Sequence, residues 1–216
     1  MSPRARLRRT LWCVVLAAGG SSRLGRPKQL LRRGGKPLLL EACEAADAVA
    51  PGRVVVVLGA ESLRLRHLLR QRRSPCVAVH NSRWRDGMSS SLRRGLGVLP
   101  PACPAALIVL CDQPQVRAKQ LRALCLAWLH RPRQAAAAAY GGAIGVPAVL
   151  PRRLWPRAGA GDADEGARAV LRRSPQITSV AMPEARLDID TPADASAWAG
   201  GKPSRWLSRR PRAWRN

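Results

Sequence analysis

Phenylalanine is absent from this chain and tyrosine occurs once, so a core must be built from Val, Leu, Ala and some of the seven Trp. No apolar run approaches the ~18 residues that a membrane-spanning helix needs, which argues against a helical span. Acidic residues are scarce, 13 against 38 Lys plus Arg, and the formal net charge is +25. Lysine is rare too: only Lys28, Lys36, Lys119 and Lys202 occur, and Arg supplies the other 34 cations. An Arg skew of this kind reflects genome composition as readily as function. The rest is ordinary. A length of 216 residues and a 46% hydrophobic share fit one globular domain and exclude a wholly disordered chain.

Part of the basic excess sits at the ends. Residues 1–10 and 200–216 carry ten cations and no acid, which leaves a charge of +15 over residues 11–199. An anionic ligand is favoured, though the field alone does not name it. The six cysteines (Cys13, Cys43, Cys76, Cys103, Cys111, Cys125) form no Cys-x-x-Cys pair and no Cys/His metal spacing. Most lie in apolar runs, where Cys acts as a small hydrophobe. Arg8-Arg9 before Leu11–Ala18 imitates a signal peptide. Cleavage near Ala18 would remove a strand that the following loop needs. A cytoplasmic protein with reduced thiols is the expectation.

Leu11–Ala17 is a short apolar run ending in glycines and reads as a buried strand. Arg53–Leu58, Cys76–His80 and Ala106–Cys111 read the same way. Helices are expected over Leu38–Ala50, Ser62–Arg72, Ser89–Leu99 and Lys119–His130. Further on, strands are expected at Ala135–Tyr140, Gly145–Leu150, Ile177–Met182 and Ala185–Ile189, and a helix at Asp164–Arg173. Thr191-Pro192-Ala193-Asp194 is a helix start, with Thr as N-cap and Pro in the first turn. Alternating strands and helices imply an α/β, Rossmann-like three-layer α/β/α fold with a mostly parallel central sheet. The expected organisation is a basic extension over 1–10, one domain over 11–200, and a basic, disordered tail over 201–216. Ligands in such sheets bind beyond the carboxyl ends of the strands. The loops after Ala17, His80 and Cys111 are therefore the places to search.

The loop after Ala17 is small and basic. Its backbone N–H groups can approach phosphate oxygens closely, and Arg23 and Lys28 can place two cations on one triphosphate. Gly20 and Gly25 have Walker spacing, but Arg26-Pro27 stands where that motif needs Lys-Ser/Thr. Asp112 follows a buried strand, where a carboxylate is costly unless it meets a cation; it either binds a metal or caps the turn through Pro114. Asp188 and Asp190 are two residues apart and fall on the same side of an expected strand. Asp190 either supplies a second metal ligand or ties down the helix start at Thr191; Asp194 caps. Asn81 ends a strand and can hydrogen-bond a base or ribose. Ser89–Ser91 open a helix and serve an anion or plain capping. His67, His80 and His130 have no partner pattern.

Residues 16–28 read Leu-Ala-Ala-Gly-x-Ser-x-Arg-x-Gly-x-x-Lys. They resemble the signature of the MobA-like nucleotidyltransferases, and the Pro-Lys-Gln-Leu-Leu continuation is most similar to the molybdenum cofactor cytidylyltransferase branch. Val54–Ala60, Asn81–Leu92, Leu110–Pro114, Gly145-Val146-Pro147 and Asp188–Asp194 resemble further family segments in order. The resemblance covers about residues 11–199. It implies a nucleoside triphosphate and one Mg²⁺ as ligands. It implies that Leu16, Ala17, Ala18 and Gly19 hold the nucleotide through the backbone, that Arg23 and Lys28 bind phosphates, and that Asp112 binds the metal. The expected reaction transfers CMP from CTP to the terminal phosphate of molybdenum cofactor in its molybdopterin form, with release of pyrophosphate. A relative using another triphosphate or phosphorylated acceptor is the alternative. A monomer without membrane or nucleic-acid partner is expected. The rival is a nucleic-acid binder using Trp206 and Trp214 in the Arg-rich tail. Two features depart from the family: Leu24 replaces the usual Met, and Gly161–Arg168 carries two residues more than the Gly-Asp-x-Gly-Ala-Arg motif.

Overall fold

The computed structural model describes residues 11–159, 163 and 165–199. The expected terminal segments, and Gly161, Asp162 and Asp164 of the expanded motif, lie outside the described residues. Seven strands form the central sheet: β1 (Leu11–Ala17), β4 (Val54–Leu58), β5 (Val77–His80), β6 (Ala105–Leu110), β7 (Ala135–Tyr140), β8 (Ala143–Pro151) and β9 (Ile177–Ala181), in the spatial order β5-β4-β1-β6-β8-β7-β9. The pairs β5-β4, β4-β1, β1-β6 and β7-β9 are parallel; β6-β8 and β8-β7 are antiparallel.

Both faces of this sheet are covered. Alternate residues of β1 serve opposite layers, Cys13 and Val15 on one side and Val14 and Leu16 on the other. The first layer contains α1 (Leu38–Asp47), α2 (Ser62–Gln71) and α4 (Ala118–His130). The second contains α3 (Met88–Gly97), the 3₁₀ segment Arg152–Gly159 and α5 (Ala167–Arg172). This is why β1, β4 and β6 read as unbroken apolar runs: they are buried on both faces. Each fully buried Leu or Ile in them, such as Leu107 and Ile108, contributes about 1.5–3 kcal/mol. Gly95 lets α3 approach the sheet; a Cβ there would come within 2.5 Å of Val14 Cγ1.

The chain runs from β1 outward to β4 and β5, then returns to β6 on the other side of β1. The order therefore reverses between β1 and β6, and their carboxyl ends sit side by side, with Leu16 opposite Leu110. A crevice opens at such a reversal.

The structure corrects one expected strand. Ala185–Ile189 is not extended in a sheet: Pro183–Arg186 is a 3₁₀ turn, and Leu187–Asp190 is irregular. The segment crosses the end of β6, where the Ile189 N–H donates to the Asp112 carbonyl at 3.0 Å. Its apolar residues are buried by this crossing rather than by pairing. A small hairpin also appears, β2 (Arg32–Arg33) with β3 (Lys36–Pro37), turning through Gly34 and Gly35, both at positive φ. The last helix, α6, spans Pro192–Ala199.

Candidate functional site

The loop after β1 is shaped by its own side chains. The Ser21 carbonyl accepts from Leu24 and Gly25, and the Ser21 hydroxyl oxygen accepts from the Lys28 N–H at 3.1 Å. Leu24 is buried against Leu38, Ile189, Ala195 and Trp198. This plug docks the loop on the segment carrying Asp190 and brings Arg23 with it; Leu in place of Met still fills the position.

Three elements distant in sequence then converge. Lys28 Nζ lies 2.5 Å from Asp112 Oδ2 and 3.0 Å from Asp190 Oδ1. Arg23 Nη2 lies 2.9 Å from Asp190 Oδ2. The Lys28 and Asp112 side chains are each 15% exposed, whereas Arg23 is 64% exposed at the rim. Burial would lower the Lys28 pKa, but Asp112 and then Asp190 outweigh it and hold the ammonium well above its usual value. Asp112 does not cap its turn: Oδ2 meets Lys28, and Oδ1 is buried without a hydrogen-bond partner among the described residues. The helix start at Thr191 is held by another carboxylate. That work is done by Asp194 Oδ2, which accepts from the N–H groups of Asp190 and Thr191 and from the Thr191 hydroxyl.

Asp188 was paired with Asp190 on one side of a strand, but the irregular backbone here removes that reason. Asp188 is half-buried beside both other carboxylates. Burial, then Asp112 and Asp190, push its carboxyl up to about 7, with Arg168 and Lys28 opposing. Arg168 also hydrogen-bonds Tyr140. Gln113 Nε2 donates to the carbonyls of Val146 and Ala185, and the Tyr140 hydroxyl also donates to Val146. The Asp-Gln-Pro and Gly-x-Pro segments are thus bound to each other and to the crossing segment.

Leu16, Ala17, Ala18, Gly19, Lys28 and Asp112 line one cavity of about 370 Å³, faced by Trp84, Arg85, Met88 and Ser91. The Arg85 guanidinium stacks over Trp84 at 4.5 Å. Gly59 admits Trp84 to the wall; a Cβ there would lie 2.4 Å from the Ala18 carbonyl oxygen and 2.7 Å from Trp84 Cβ.

Arg23, Asp190 and Asn81 are not among the residues lining this cavity; Asp190 meets its Lys28 and Arg23 meets Asp190, whereas among the described residues no such contact ties in Asn81. It is 5% exposed, its Nδ2 donates to the Ser90 and Ser91 hydroxyls, and its Oδ1 accepts from the Arg83 N–H. Its amide bonds inside the protein and holds the start of α3. The serines there are engaged inside the protein without capping α3. Ser90 Oγ meets the Gly87 and Arg83 carbonyls, and Ser89 Oγ accepts from the Gly166 N–H. With the Ser89 N–H on the Ala163 carbonyl, the described part of the expanded motif is docked on α3. Sequence reasoning missed Trp84, Arg85 and Gln29 as wall and floor of the cavity. The available signals were the family-like segments Pro27–Leu31 and Asn81–Leu92, in which these residues lie.

Comparison with known proteins agrees with this geometry. Residues 13–178 match the MobA-like NTP transferase domain. The chain is 33% identical over 176 residues to nicotine blue oxidoreductase of Paenarthrobacter nicotinovorans, covering 77% of this chain and 84% of that protein. Rv0371c from Mycobacterium tuberculosis H37Rv superposes with a TM-score of 0.73 at 26% identity, over 89% of this chain and 100% of that one. Molybdopterin-guanine dinucleotide biosynthesis protein A from Archaeoglobus fulgidus shares the fold, with a TM-score of 0.66 at 15% identity over 87% of this chain and 96% of that one. The chain belongs to the MobA-like NTP transferase family and is a nucleotidyltransferase.

Proposed function

We propose that this chain is a cytoplasmic, Mg²⁺-dependent enzyme that transfers CMP from CTP to the terminal phosphate of molybdenum cofactor in its molybdopterin form. The observation that carries the reading is the contact of Lys28 with both Asp112 and Asp190 at one end of a cavity walled by the Leu16–Gly19 backbone. The choice of CTP and of the acceptor rests on the likeness of Ala17–Leu31 to the cytidylyltransferase branch.

The residues fit a magnesium ion. Mg²⁺ takes one or two carboxylates and completes its shell with phosphate oxygens and water. Among the described residues no three His, Cys, Asp or Glu side chains form a ready-made cage. Asp112 and Asp190 offer only hard carboxylate oxygens, and Asp112 Oδ1 is buried with no hydrogen-bond partner among the described residues. These two residues would hold the ion, which when bound supplies charge neutralisation on the phosphate oxygens.

An oxygen of the acceptor phosphate attacks the α-phosphorus; the new O–P bond forms as the bond to pyrophosphate breaks. A monoester phosphate is already ionised near neutral pH, so no general base is needed. Lys28 leaves Asp112 for an α- or β-phosphate oxygen, which frees that carboxylate. Arg23, at the rim, adds a fork of donors on the same phosphates. The wall keeps the triphosphate in line with the acceptor, so catalysis is positioning plus electrostatics.

Pyrophosphate release measured across the four nucleoside triphosphates with molybdopterin present tests the reading. Release that requires both CTP and molybdopterin supports it. Release with another triphosphate or phosphorylated acceptor moves it to the alternative within the family; no release with any refutes transfer. A second reading has one observation in its favour, the name of the 33%-identical relative. That name assigns redox chemistry on nicotine blue to the relative. Loss of nicotine blue colour with an added reductant, and no pyrophosphate from any triphosphate, would favour it here.

A further inference from the structure

The geometry points to Gln29 as the positioning residue of the nucleotide loop, a role that rests on the nucleotide-binding reading above. Gln29 follows Lys28 in the 3₁₀ turn Lys28–Leu30 and is 1% exposed. Its Nε2 donates to the carbonyls of Ala17 and Gly19, each at 2.9 Å. Both partners are acceptors, so only the NH₂ end of the amide can face them. The orientation of this side chain is therefore dictated by its contacts. The intervening Ala18 carbonyl accepts from the Ala60 N–H at 3.2 Å.

Three successive carbonyls are thus held by the protein. In a trans peptide the C=O of one residue and the N–H of the next point opposite ways. The N–H groups of Ala18 and Gly20 accordingly turn away from Gln29, and that of Gly19 turns away from Ala60. The Leu16–Gly19 backbone is itself the wall of the cavity. Holding its carbonyls back presents a short run of N–H donors to an anionic ligand. The same turn carries Lys28, so one residue fixes the donor run relative to the ammonium.

The residue type follows from the task. Bridging two carbonyls from one buried atom needs two N–H groups and no net charge. Met would fill the space with no donor, and Glu would set a carboxylate against two carbonyl oxygens. Gln29 Oε1 is buried without a hydrogen-bond partner among the described residues, a penalty that a residue chosen only for packing would not carry.

The test compares the full chain with Gln29→Met and Gln29→Glu, using CTP with Mg²⁺ as the probe. Three quantities are read: the dissociation constant for CTP, the amide ¹H–¹⁵N shifts of Ala18, Gly19 and Gly20 on adding CTP, and the thermal melting point. The expected result is folded variants whose CTP affinity falls about 10- to 100-fold, with loss of the nucleotide-induced shifts at those three amides. Variants that melt lower but bind CTP within about twofold of wild type, with the shifts intact, would show a merely structural role and overturn the proposal. Should a variant not fold, the wild type still decides. Shifts at the three amides support the role, and CTP binding that leaves them unmoved overturns it. A wild-type chain that binds no nucleoside triphosphate overturns the nucleotide reading and this inference together.

Discussion

Replacing Lys28 with Met should weaken the enzyme and strengthen its hold on a free divalent ion. The wild-type ammonium sits 2.5 Å from Asp112 and 3.0 Å from Asp190, with a side-chain exposure of 15%. Removing it leaves two neighbouring carboxylates, and a third at Asp188, with Arg23 and Arg168 nearby. Breaking a largely buried pair this way costs about 3–5 kcal/mol. For a domain of this size that is a melting point lower by about 6–20 °C. Turnover should fall at least ~100-fold, because the charge that follows the phosphates is gone. Metal affinity moves the other way. A divalent ion ~5 Å from an ammonium is repelled by about 1.7 kcal/mol even at the dielectric constant of water, which is more than tenfold in binding. Titration with Mn²⁺ in the absence of nucleotide should therefore show Lys28→Met binding about tenfold more tightly than wild type, and Mn²⁺ should restore much of its lost stability. Equal or weaker Mn²⁺ binding by the variant, or near-normal turnover, would refute the assignment of Lys28 to the metal carboxylates and the phosphates.

Other perturbations probe other parts of the account. Gly59→Ala would place a Cβ 2.4 Å from the Ala18 carbonyl oxygen and 2.7 Å from Trp84 Cβ, so the loop must shift. A stability loss of about 1–3 kcal/mol and weaker nucleotide binding are expected by melting and titration; unchanged affinity would sink the role given to this wall. Thiol labelling should follow the cysteine environments. Burial pushes Cys111 and Cys125 up to about 12 and raises Cys13, whereas a hydrogen bond with Cys43 pulls half-buried Cys76 below the usual cysteine value. Raised groups carry almost no thiolate near pH 8 and the lowered one carries more, so a thiol reagent should modify Cys76 first and the other three only after unfolding. Equally fast labelling of Cys111 in the native protein would contradict this. Deleting residues 202–216 should leave turnover intact; loss of a salt-sensitive affinity for nucleic acid would instead support the tail-based rival.

The parts of the fold that could be read in advance are those where burial acts on a whole element. β1, β4 and β6 are covered on both faces, so their sequences are unbroken apolar runs. Ala135–Tyr140 was legible as a strand because Pro132 and Gly141-Gly142 leave no room for a helix, despite five Ala. Ala185–Ile189 misled because Ala185 and Ile189 are buried by crossing the end of β6, and spacing cannot tell that from pairing. The hairpin at Arg32–Pro37 has two-residue strands with no apolar period to find. The Lys28 and Asp112 side chains meet across 84 positions, and the rule that ligands sit beyond strand ends anticipates such a meeting. The same rule overreached at Asn81, where a polar residue after a strand serves the next helix instead. Gln29 was illegible because its importance lies in which backbone atoms it touches.

The most direct measurement is a crystal structure of the full chain with Mg²⁺ and a non-hydrolysable CTP analogue. The account predicts the Lys28 ammonium within ~3 Å of a phosphate oxygen, with Asp112 turned to the metal. A triphosphate bound elsewhere, with Lys28 still on Asp112, would contradict it.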